Sequence, residues 1–484
     1  MPAIDELRAR LAELSDLSGL GALAGWDQQV MMPREGAAAR ANLLATLDRL
    51  SHDLATSDEI GEWLDELDGS DLAEIDRDIV RVARRDFERQ RSVPAELVGE
   101  RAQAAAAGQS AWEKARADAD FAALAPALAR NVELARAYAA CFKDVPRAYD
   151  ALLYDFDYGV TGELIEEVFG RLAEGLGPLI ADVGRRAARP TERVGIPFEA
   201  QRAAVAATLR RLGVSEDSWR VDVSSHPFSE AVSRLDTRIT TRYESGGFES
   251  LIAALHEFGH SLYERQIAPE LERTNLGQGT SMTIHESQSK LWENHVARNR
   301  AFAPVLAEEL SRGGHAIETG ALYSQLARVG PSLIRVSADQ VTYPLHIILR
   351  FQLERALIEG GLDVADLPAA WNDGMLRLLG VDVPDDAVGV LQDIHWSAGL
   401  FGYFPSYAMG CLIAAQLWQQ LELDLGSQDE ALRTAEVGAI KDWLAENVHK
   451  YGRRLDTEPL VERATGRGID VAPFLAHAAA VVGG

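Results

Sequence analysis

Two histidines separated by three residues, with a glutamate directly after the first, form the pattern that most clearly indicates chemistry: His256, Glu257 and His260. Helical residues at i and i+4 lie about 40° apart around the axis, so both imidazoles can bind one ion. Glu257 lies one position around the helix, where its carboxylate can reach a water on that ion. This H-E-x-x-H pattern predicts a divalent metal site, with zinc the favoured ion, and Glu257 as the general base of a peptidase.

The third metal ligand is less clearly marked. A catalytic zinc takes three protein ligands and keeps a fourth position for water. Glu286 is a candidate, since it follows a Gly-, Thr- and Ser-rich loop at 275–283 and opens a predicted helix. The residues alone leave two alternatives open. His285 offers a nitrogen ligand next to it, and Thr283 with Glu286 fits a capping box, in which the glutamate bonds back to the helix cap.

A polar and aromatic cluster follows much later, with His395 in the segment 389–396 and Tyr407 in the segment 402–407. Histidine and tyrosine are suitable donors to the oxyanion that forms during peptide hydrolysis. The same residues are suitable for a hydrophobic core, which the pattern alone favours. His395 and Tyr407 are therefore candidates that need support from another source.

Charged residues that could hold a substrate also have ordinary alternatives. Arg335 could bind a carboxylate through two parallel hydrogen bonds, or it could pair with Asp339 at i+4. Asp236 and Arg238 lie in a predicted strand, and the same two interpretations apply to them.

The elements that must position these residues are mostly helices. Apolar residues recur every three or four positions through 1–150, 160–215 and most of 290–484, which is typical of amphipathic helices. Residues 219–243 differ, because β-branched residues alternate there and predict two or three short strands.

The predicted metal helix follows these strands. Gly246 and Gly247 break the chain, and residues 248–267 then have helical periodicity. No linker rich in Gly, Pro or Ser separates independent units. We therefore expect residues 1–484 to form a single catalytic domain, mainly α, with one small sheet beside the metal helix.

Composition excludes several classes of partner. The formal net charge of −26 argues against nucleic acid or an anionic membrane, since both reward basic surfaces. Two cysteines cannot form a disulfide framework, and neither lies at metal-ligand spacing from the other. The N-terminus has no basic region followed by an apolar one, so a cytoplasmic location is the default expectation.

Taken together, the motifs resemble those of the carboxypeptidase Taq family of metallocarboxypeptidases along essentially the whole chain. Early residues at 26–33 are also similar to that family. Five signatures occur in the family's order: D-x-R-x-T at 236–240, H-E-x-x-H at 256–260, H-E-S-Q at 285–288, I-R-x-x-A-D at 334–339 and G-x-x-Q-D-x-H-W at 389–396. Ser337 and Gln340 depart mildly, because acids are common there in the family.

The resemblance implies more than the residues alone. It makes Glu286 the third ligand, completing the set with His256 and His260. It implies a nearly all-helical, two-lobed fold with a deep cleft, similar to neurolysin-like peptidases. It also implies removal of single C-terminal residues with broad preference, disfavouring proline near the cut, by a zinc enzyme that cobalt often activates and that is typically a homodimer.

These residues lead to one mechanistic hypothesis. A bound ion lowers the pKa of its water from about 15.7 towards 7, and Glu257 accepts the water proton and passes it to the leaving amine. His395 or Tyr407 assists the oxyanion, and Arg335, with Arg238 as a possible second cation, binds the free C-terminal carboxylate. Two alternatives remain: an endo-acting oligopeptidase on the same scaffold, and a silent metal-binding scaffold protein.

Overall fold

The computed structural model describes residues 2–185, 195–244 and 247–483. Residues 186–194 of the predicted helical region and Gly246 of the predicted break lie outside these ranges. In chain order the helices are α1 (Pro2–Val30), α2 (Ala37–Ala55), α3 (Asp58–Glu66), α4 (Glu74–Ser92), α5 (Ala95–Asp118), α6 (Phe121–Ala139), α7 (Ala148–Leu153), α8 (Gly162–Arg185), α9 (Phe198–Arg211), α10 (Glu249–Gln266), α11 (Met282–Lys290), α12 (Ala303–Arg312), α13 (Thr319–Leu326), α14 (Tyr343–Glu359), α15 (Leu367–Leu379), α16 (Phe404–Leu425), α17 (Asp429–Thr434), α18 (Gly438–Asn447), α19 (Thr457–Thr465) and α20 (Ala472–Gly483). The prediction of a mainly α fold is confirmed.

The predicted strands form one small sheet of β1 (Trp219–Val223), β2 (Ser229–Ser233) and β3 (Asp236–Thr241). The strand order is β1-β3-β2, with β1 parallel and β2 antiparallel to the central strand β3. Ile239 of β3 is fully buried and belongs to the same core as the apolar face of α10. The sheet therefore supports the metal helix, as its position in the sequence predicts.

Helix α16 is buried along most of its length because it is shared by two hydrophobic cores. Met409 and Leu412 pack in the first core, with α6, α8, α14 and α15. Ile413 and Leu417 pack in the second, with α9, α10 and α12. A helix that is apolar all round must be covered on all sides. Two cores that meet at one helix agree with the predicted two-lobed architecture.

A third, smaller core holds the N-terminal helices α1, α3 and α4 together through residues such as Leu7, Leu64 and Ile79. Helix α1 also packs on the sheet, where Trp26 lies under the guanidinium groups of Arg220 and Arg238, 4.8 and 4.4 Å from its ring centroid. Such cation–π contacts add an electrostatic stabilisation to the one that the ring gains from burying its apolar area.

The structure contains a deep cleft of about 1090 Å³. Its walls come from α1, α4, β2, α10 and the segment 272–278, and Tyr403 and Tyr407 lie on another side. In the part of the chain that is described, no helix combines the length and the apolar character needed to cross a membrane.

Candidate active site

The two histidines of the metal motif lie on α10, which begins one residue later and ends one residue earlier than predicted. Both side chains line the cleft, so the helical face predicted from their spacing is the face that borders the cavity. Their ring centroids are 5.0 Å apart. The sequence-based prediction that one helix presents both imidazoles together is confirmed.

Glycines bring the neighbouring helices close to this face. A Cβ on Gly259 would lie 2.5 Å from the carbonyl oxygen of Gln288, so only glycine allows α10 and α11 to approach this closely. On the other side, a Cβ on Gly410 of α16 would lie 2.5 Å from Cβ of Glu286. Helix α11 is thus held between α10 and α16, with Gln288 at its close approach to α10 and Glu286 at its close approach to α16.

This packing assembles a donor set that fits a metal ion. His256 Nε2 lies 3.8 Å from one carboxylate oxygen of Glu286, and His260 Nε2 lies 3.9 Å from the other. Within the described residues, these three form the one group of at least three potential donor residues whose atoms all lie within 4.8 Å of one another. Two imidazoles and a carboxylate are a donor set typical of catalytic zinc, with ligand distances of about 2 Å.

The alternatives for Glu286 do not agree with the structure. The N-cap of α11 is Ser281, whose hydroxyl accepts from Ile284 N at 3.1 Å, so the capping box at Thr283 is wrong. His285 is held elsewhere, since its Nε2 lies 2.8 Å from Glu264 Oε1. His285 lines the cleft beside His260, with ring centroids 5.5 Å apart, but it is not part of the donor set.

A further carboxylate orients His256. Its Nδ1 lies 2.8 Å from Oε2 of Glu293, so that the proton on Nδ1 leaves Nε2 free to bind an ion. Lys290 Nζ donates to the same oxygen at 2.7 Å. The sequence analysis did not identify these two residues. The spacing of Glu286, Lys290 and Glu293 at i, i+4 and i+7 places them on one helical face and could have indicated their association.

Glu257 lies beside the donor set and lines the cleft, although only 6% of its surface is exposed. Burial raises the pKa of its carboxyl group to about 7, which the neighbouring His256 partly offsets. A pKa near neutrality suits a group that accepts and returns a proton.

Two tyrosines face the cleft on another side. Tyr403 and Tyr407 line it, and their rings meet edge to face at 5.1 Å. His395 does not line the cleft but stacks on Tyr403 at 5.6 Å between ring centroids. Burial lowers the pKa of His395 to about 4, so the imidazole is neutral at pH 7. Tyr403 lies in the segment 402–407, but the sequence analysis did not identify it as a candidate.

Arg335 is buried and does not pair with Asp339. Its Nε and Nη2 donate to Oδ1 of Asp393 at 2.9 and 2.8 Å, and its Nη1 donates to the hydroxyl of Tyr343 at 3.1 Å. Asp339 instead accepts from Thr342 N at 3.0 Å, at the start of α14. The alternative of an i+4 ion pair is therefore wrong.

Helix α14 carries a buried polar row that sequence analysis missed. Arg350 Nε donates to Oδ2 of Asp393 at 2.6 Å. One turn later, Glu354 accepts from Trp396 Nε1 and from Gly402 N, both at 2.6 Å. Burial acts to raise the pKa of Asp393, but Arg350 and Arg335 hold it well below its usual range. Arg350 and Glu354 lie four positions apart in an otherwise apolar helix, and this spacing could have indicated that they share one buried face.

Asp236 and Arg238 bind each other on β3, with Nε and Nη2 each 2.9 Å from a carboxylate oxygen. Neither residue is among those that line the cleft. The guanidinium also covers Trp26 of α1. Their part in substrate binding stays a prediction, and the contacts present here join α1 to the sheet.

Comparisons with known proteins find matches over nearly the whole chain. A family model described as carboxypeptidase Taq (M32) metallopeptidase matches residues 6–481. Thermostable carboxypeptidase 1 from Thermus thermophilus is 38% identical over 486 residues, covering 96% of this chain and 95% of its own. Carboxypeptidase 1 from Bacillus subtilis is 35% identical over 471 residues, covering 95% and 94%. The solved structure of Pyrococcus furiosus carboxypeptidase has a TM-score of 0.95 at 33% identity, covering 100% of this chain and 99% of that one.

Proposed function

Since the chain belongs to the carboxypeptidase Taq (M32) family, and is thus a metallocarboxypeptidase, we propose that it uses zinc to remove single residues from free peptide C-termini with broad preference. The observation that supports this most directly is the donor set of His256, His260 and Glu286 on the cleft wall, with Glu257 beside it. Nitrogen and carboxylate donors suit zinc, and cobalt is the expected activating substitute.

The proposed chemistry divides the work among the chain's own groups. His256, His260 and Glu286 would hold a divalent ion, which would supply an acidified water and polarisation of the scissile carbonyl. Glu257 accepts a proton from that water and returns it to the leaving amine. Tyr407, which lines the cleft, stabilises the charge that develops on the carbonyl oxygen, and His395, which stacks on Tyr403 and does not line the cleft, stays the predicted alternative donor. Tyr403 joins them as a candidate because it borders the same cavity.

Exopeptidase action requires a cation that recognises the free carboxylate. We assign this role to Arg335, whose guanidinium carbon lies 5.2 Å from the ring centroid of Tyr407, a residue of the cleft wall. The fork of an arginine matches a carboxylate in geometry as well as charge. Neither Arg335 nor the Asp236–Arg238 pair is among the residues that line the cavity. Arg335 packs on Tyr407 of the cavity wall, whereas Arg238 packs on Trp26 of α1, so Arg238 and Asp236 are retained as weaker candidates.

We also propose that the chain is a single catalytic unit in a homodimer. Helix α2 has no buried residue although Leu43, Leu47 and Leu50 recur at helical spacing. With Leu20 and Leu23 of α1 they line an open apolar groove, which a second copy of the chain would cover.

Sedimentation analysis tests the proposed homodimer, because the double variant Leu43→Glu with Leu50→Glu should be monomeric. The exposed pair Leu423→Glu with Leu425→Glu on α16 serves as control. A cytoplasmic location stays a prediction.

The first experiment compares a peptide with a free C-terminus and its C-terminally amidated twin, each with and without a chelator. Stepwise release of single amino acids from the free peptide alone, abolished by chelator and restored by zinc or cobalt, supports the proposal. Internal cleavage of both peptides favours an endo-acting oligopeptidase and removes the role of Arg335. Bound metal with no cleavage of either peptide favours a silent scaffold.

A further inference from the structure

A buried ion pair between Lys290 and Glu293 contacts His256 of the proposed metal site. Lys290 Nζ and His256 Nδ1 approach the same oxygen, Oε2 of Glu293, at 2.7 and 2.8 Å. The other oxygen of Glu293 has Arg298 Nη2 at 3.8 Å. Only 7% of the Lys290 surface is exposed. A surface lysine would exchange such a contact with water, whereas this one is held in place.

The backbone changes its winding at this point. Helix α11 ends at Lys290, and Leu291–Ala297 continue as a π-helix that carries Glu293. A π-helix widens the turn, is rare, and is frequently found at functional sites. Here it follows the proposed metal ligand Glu286 and carries Glu293, the carboxylate that contacts His256, another proposed ligand.

Glu293 has a specific effect on His256. A neutral imidazole carries one proton, and a carboxylate at Nδ1 fixes that proton on Nδ1, which leaves the lone pair of Nε2 directed towards Glu286. The charge of Glu293 makes this hydrogen bond stronger than one to a neutral acceptor. A third carboxylate near Glu257 and Glu286 is however costly in a buried site unless a cation balances it.

We propose that Lys290 is a positioning residue of the metal site. It keeps Oε2 of Glu293 against Nδ1 of His256 and so fixes the ring that presents Nε2 to the ion. The ammonium group also lies over the ring of Tyr343, 4.5 Å from its centroid, which limits where the lysine can move. This inference rests on the proposed metal-dependent function and assigns a residue outside the ligand set.

The experiment measures zinc affinity of the full chain by competition with a chelator, independently of activity. Lys290→Met should weaken zinc binding about 10- to 100-fold, the range typical of groups that orient ligands. Lys290→Arg, which keeps the charge, should restore affinity to within about threefold of the wild type. Arg130→Met, which removes an exposed i,i+3 pair with Glu133, is the matched control and should leave affinity unchanged.

A double variant separates positioning from mere stabilisation. If Lys290 acts through Glu293, Lys290→Met with Glu293→Gln should bind zinc as Glu293→Gln alone does. This double variant removes both charges of the Lys290–Glu293 pair, so neither is left buried without the other, and it remains informative if Lys290→Met fails to fold. Wild-type affinity in Lys290→Met, or effects that multiply in the double variant, would overturn the inference. A wild-type chain that binds no zinc would instead remove the proposed function.

Discussion

Arg335 donates from both Nε and Nη2 to a single oxygen, Oδ1, of Asp393, at 2.9 and 2.8 Å. The second oxygen of Asp393 accepts from Arg350, so one carboxylate orients two guanidinium groups. Asp393 is therefore the residue that fixes the direction of Arg335. A cation that is already oriented loses little entropy when it binds a substrate carboxylate.

Replacing Arg335 by lysine tests its proposed role. The charge is retained but the planar fork is lost, so we expect kcat/KM on a free-terminus peptide to fall by roughly 30- to 1000-fold, or about 2–4 kcal/mol. Zinc affinity should not change, because Arg335 contacts none of the three ligands. Arg328→Lys, at an exposed position of the same segment, is the control. An unchanged kcat/KM in Arg335→Lys would move carboxylate recognition to another cation.

Glu257→Gln separates proton transfer from metal binding. The amide has nearly the same shape but cannot accept and return the proton, so kcat should fall by about 10²- to 10⁴-fold. Zinc content should equal that of the wild type, since Glu257 is outside the donor set. Glu230→Gln removes another carboxylate of the cleft wall and should leave kcat almost unchanged. Full activity in Glu257→Gln would exclude it as the general base.

The ligand set is tested by comparing neighbouring residues. Glu286→Gln should weaken zinc binding by two orders of magnitude or more, because a neutral amide replaces a charged ligand. His285→Gln should weaken it by about tenfold at most, because His285 is bound to Glu264 and not to the donor set. Chelator competition measures both constants. The reverse ranking would make His285 the third ligand.

Local patterns predicted the part of the site that one helix defines. The i,i+4 spacing of His256 and His260 is fixed by helix geometry alone, and the alternating residues at 219–243 similarly predict strands. The position of Glu286 depends instead on how closely α10 and α11 approach at Gly259. Spacing along the chain does not contain that distance, so the third ligand came from a family resemblance.

Buried charges were the least predictable feature. Arg350 and Glu354 occur in an apolar helix, and their partners Asp393 and Trp396 lie more than 40 residues further along the chain. Sequence analysis favours local partners, which is why Asp339 was considered for Arg335. In the folded chain Asp339 instead binds the backbone at the start of α14. The cost of removing a charge from water requires that each buried charge has a partner, but it does not identify which residue that partner is.

Asp157 predicts a pH dependence of stability. Burial raises the pKa of its carboxyl group from 3.8 to about 7. A folded-state pKa above the unfolded one means that its contribution is fully present below pH 3.8 and is lost as the pH rises through 7. Relative to Asp157→Asn, the wild type should therefore lose up to about 4 kcal/mol between pH 4 and pH 8.

Urea unfolding at several pH values measures this difference. The advantage of Asp157→Asn should grow with pH and level off above about 7. Asp442→Asn changes an exposed carboxylate and should show no such trend. A constant difference between wild type and Asp157→Asn across this range would mean that the buried carboxyl does not titrate there.

Glu354 should stabilise the segment that carries His395 and Tyr403. Its Oε1 accepts from Tyr149 and Gly402, and its Oε2 accepts from Trp396 Nε1. In Glu354→Gln the amide oxygen can still accept from the first two groups, but the NH₂ group then faces the N–H of Trp396. Two donors in contact leave both unsatisfied, so we expect a loss of about 1–3 kcal/mol of unfolding free energy. Turnover should fall as well, while zinc affinity stays unchanged.

A double-mutant cycle identifies the responsible contact. Trp396→Phe removes the competing donor, so it should cost less in the Glu354→Gln background than in the wild type, with a coupling of about 0.5–3 kcal/mol. Trp371→Phe is the matched control: this indole is also buried, its ring centroid lies 6.2 Å from that of Trp396, and its N–H has no hydrogen-bond partner. Trp371→Phe should therefore be additive with Glu354→Gln. Additivity for Trp396→Phe too would mean that Glu354 acts on the segment through Tyr149 and Gly402 alone.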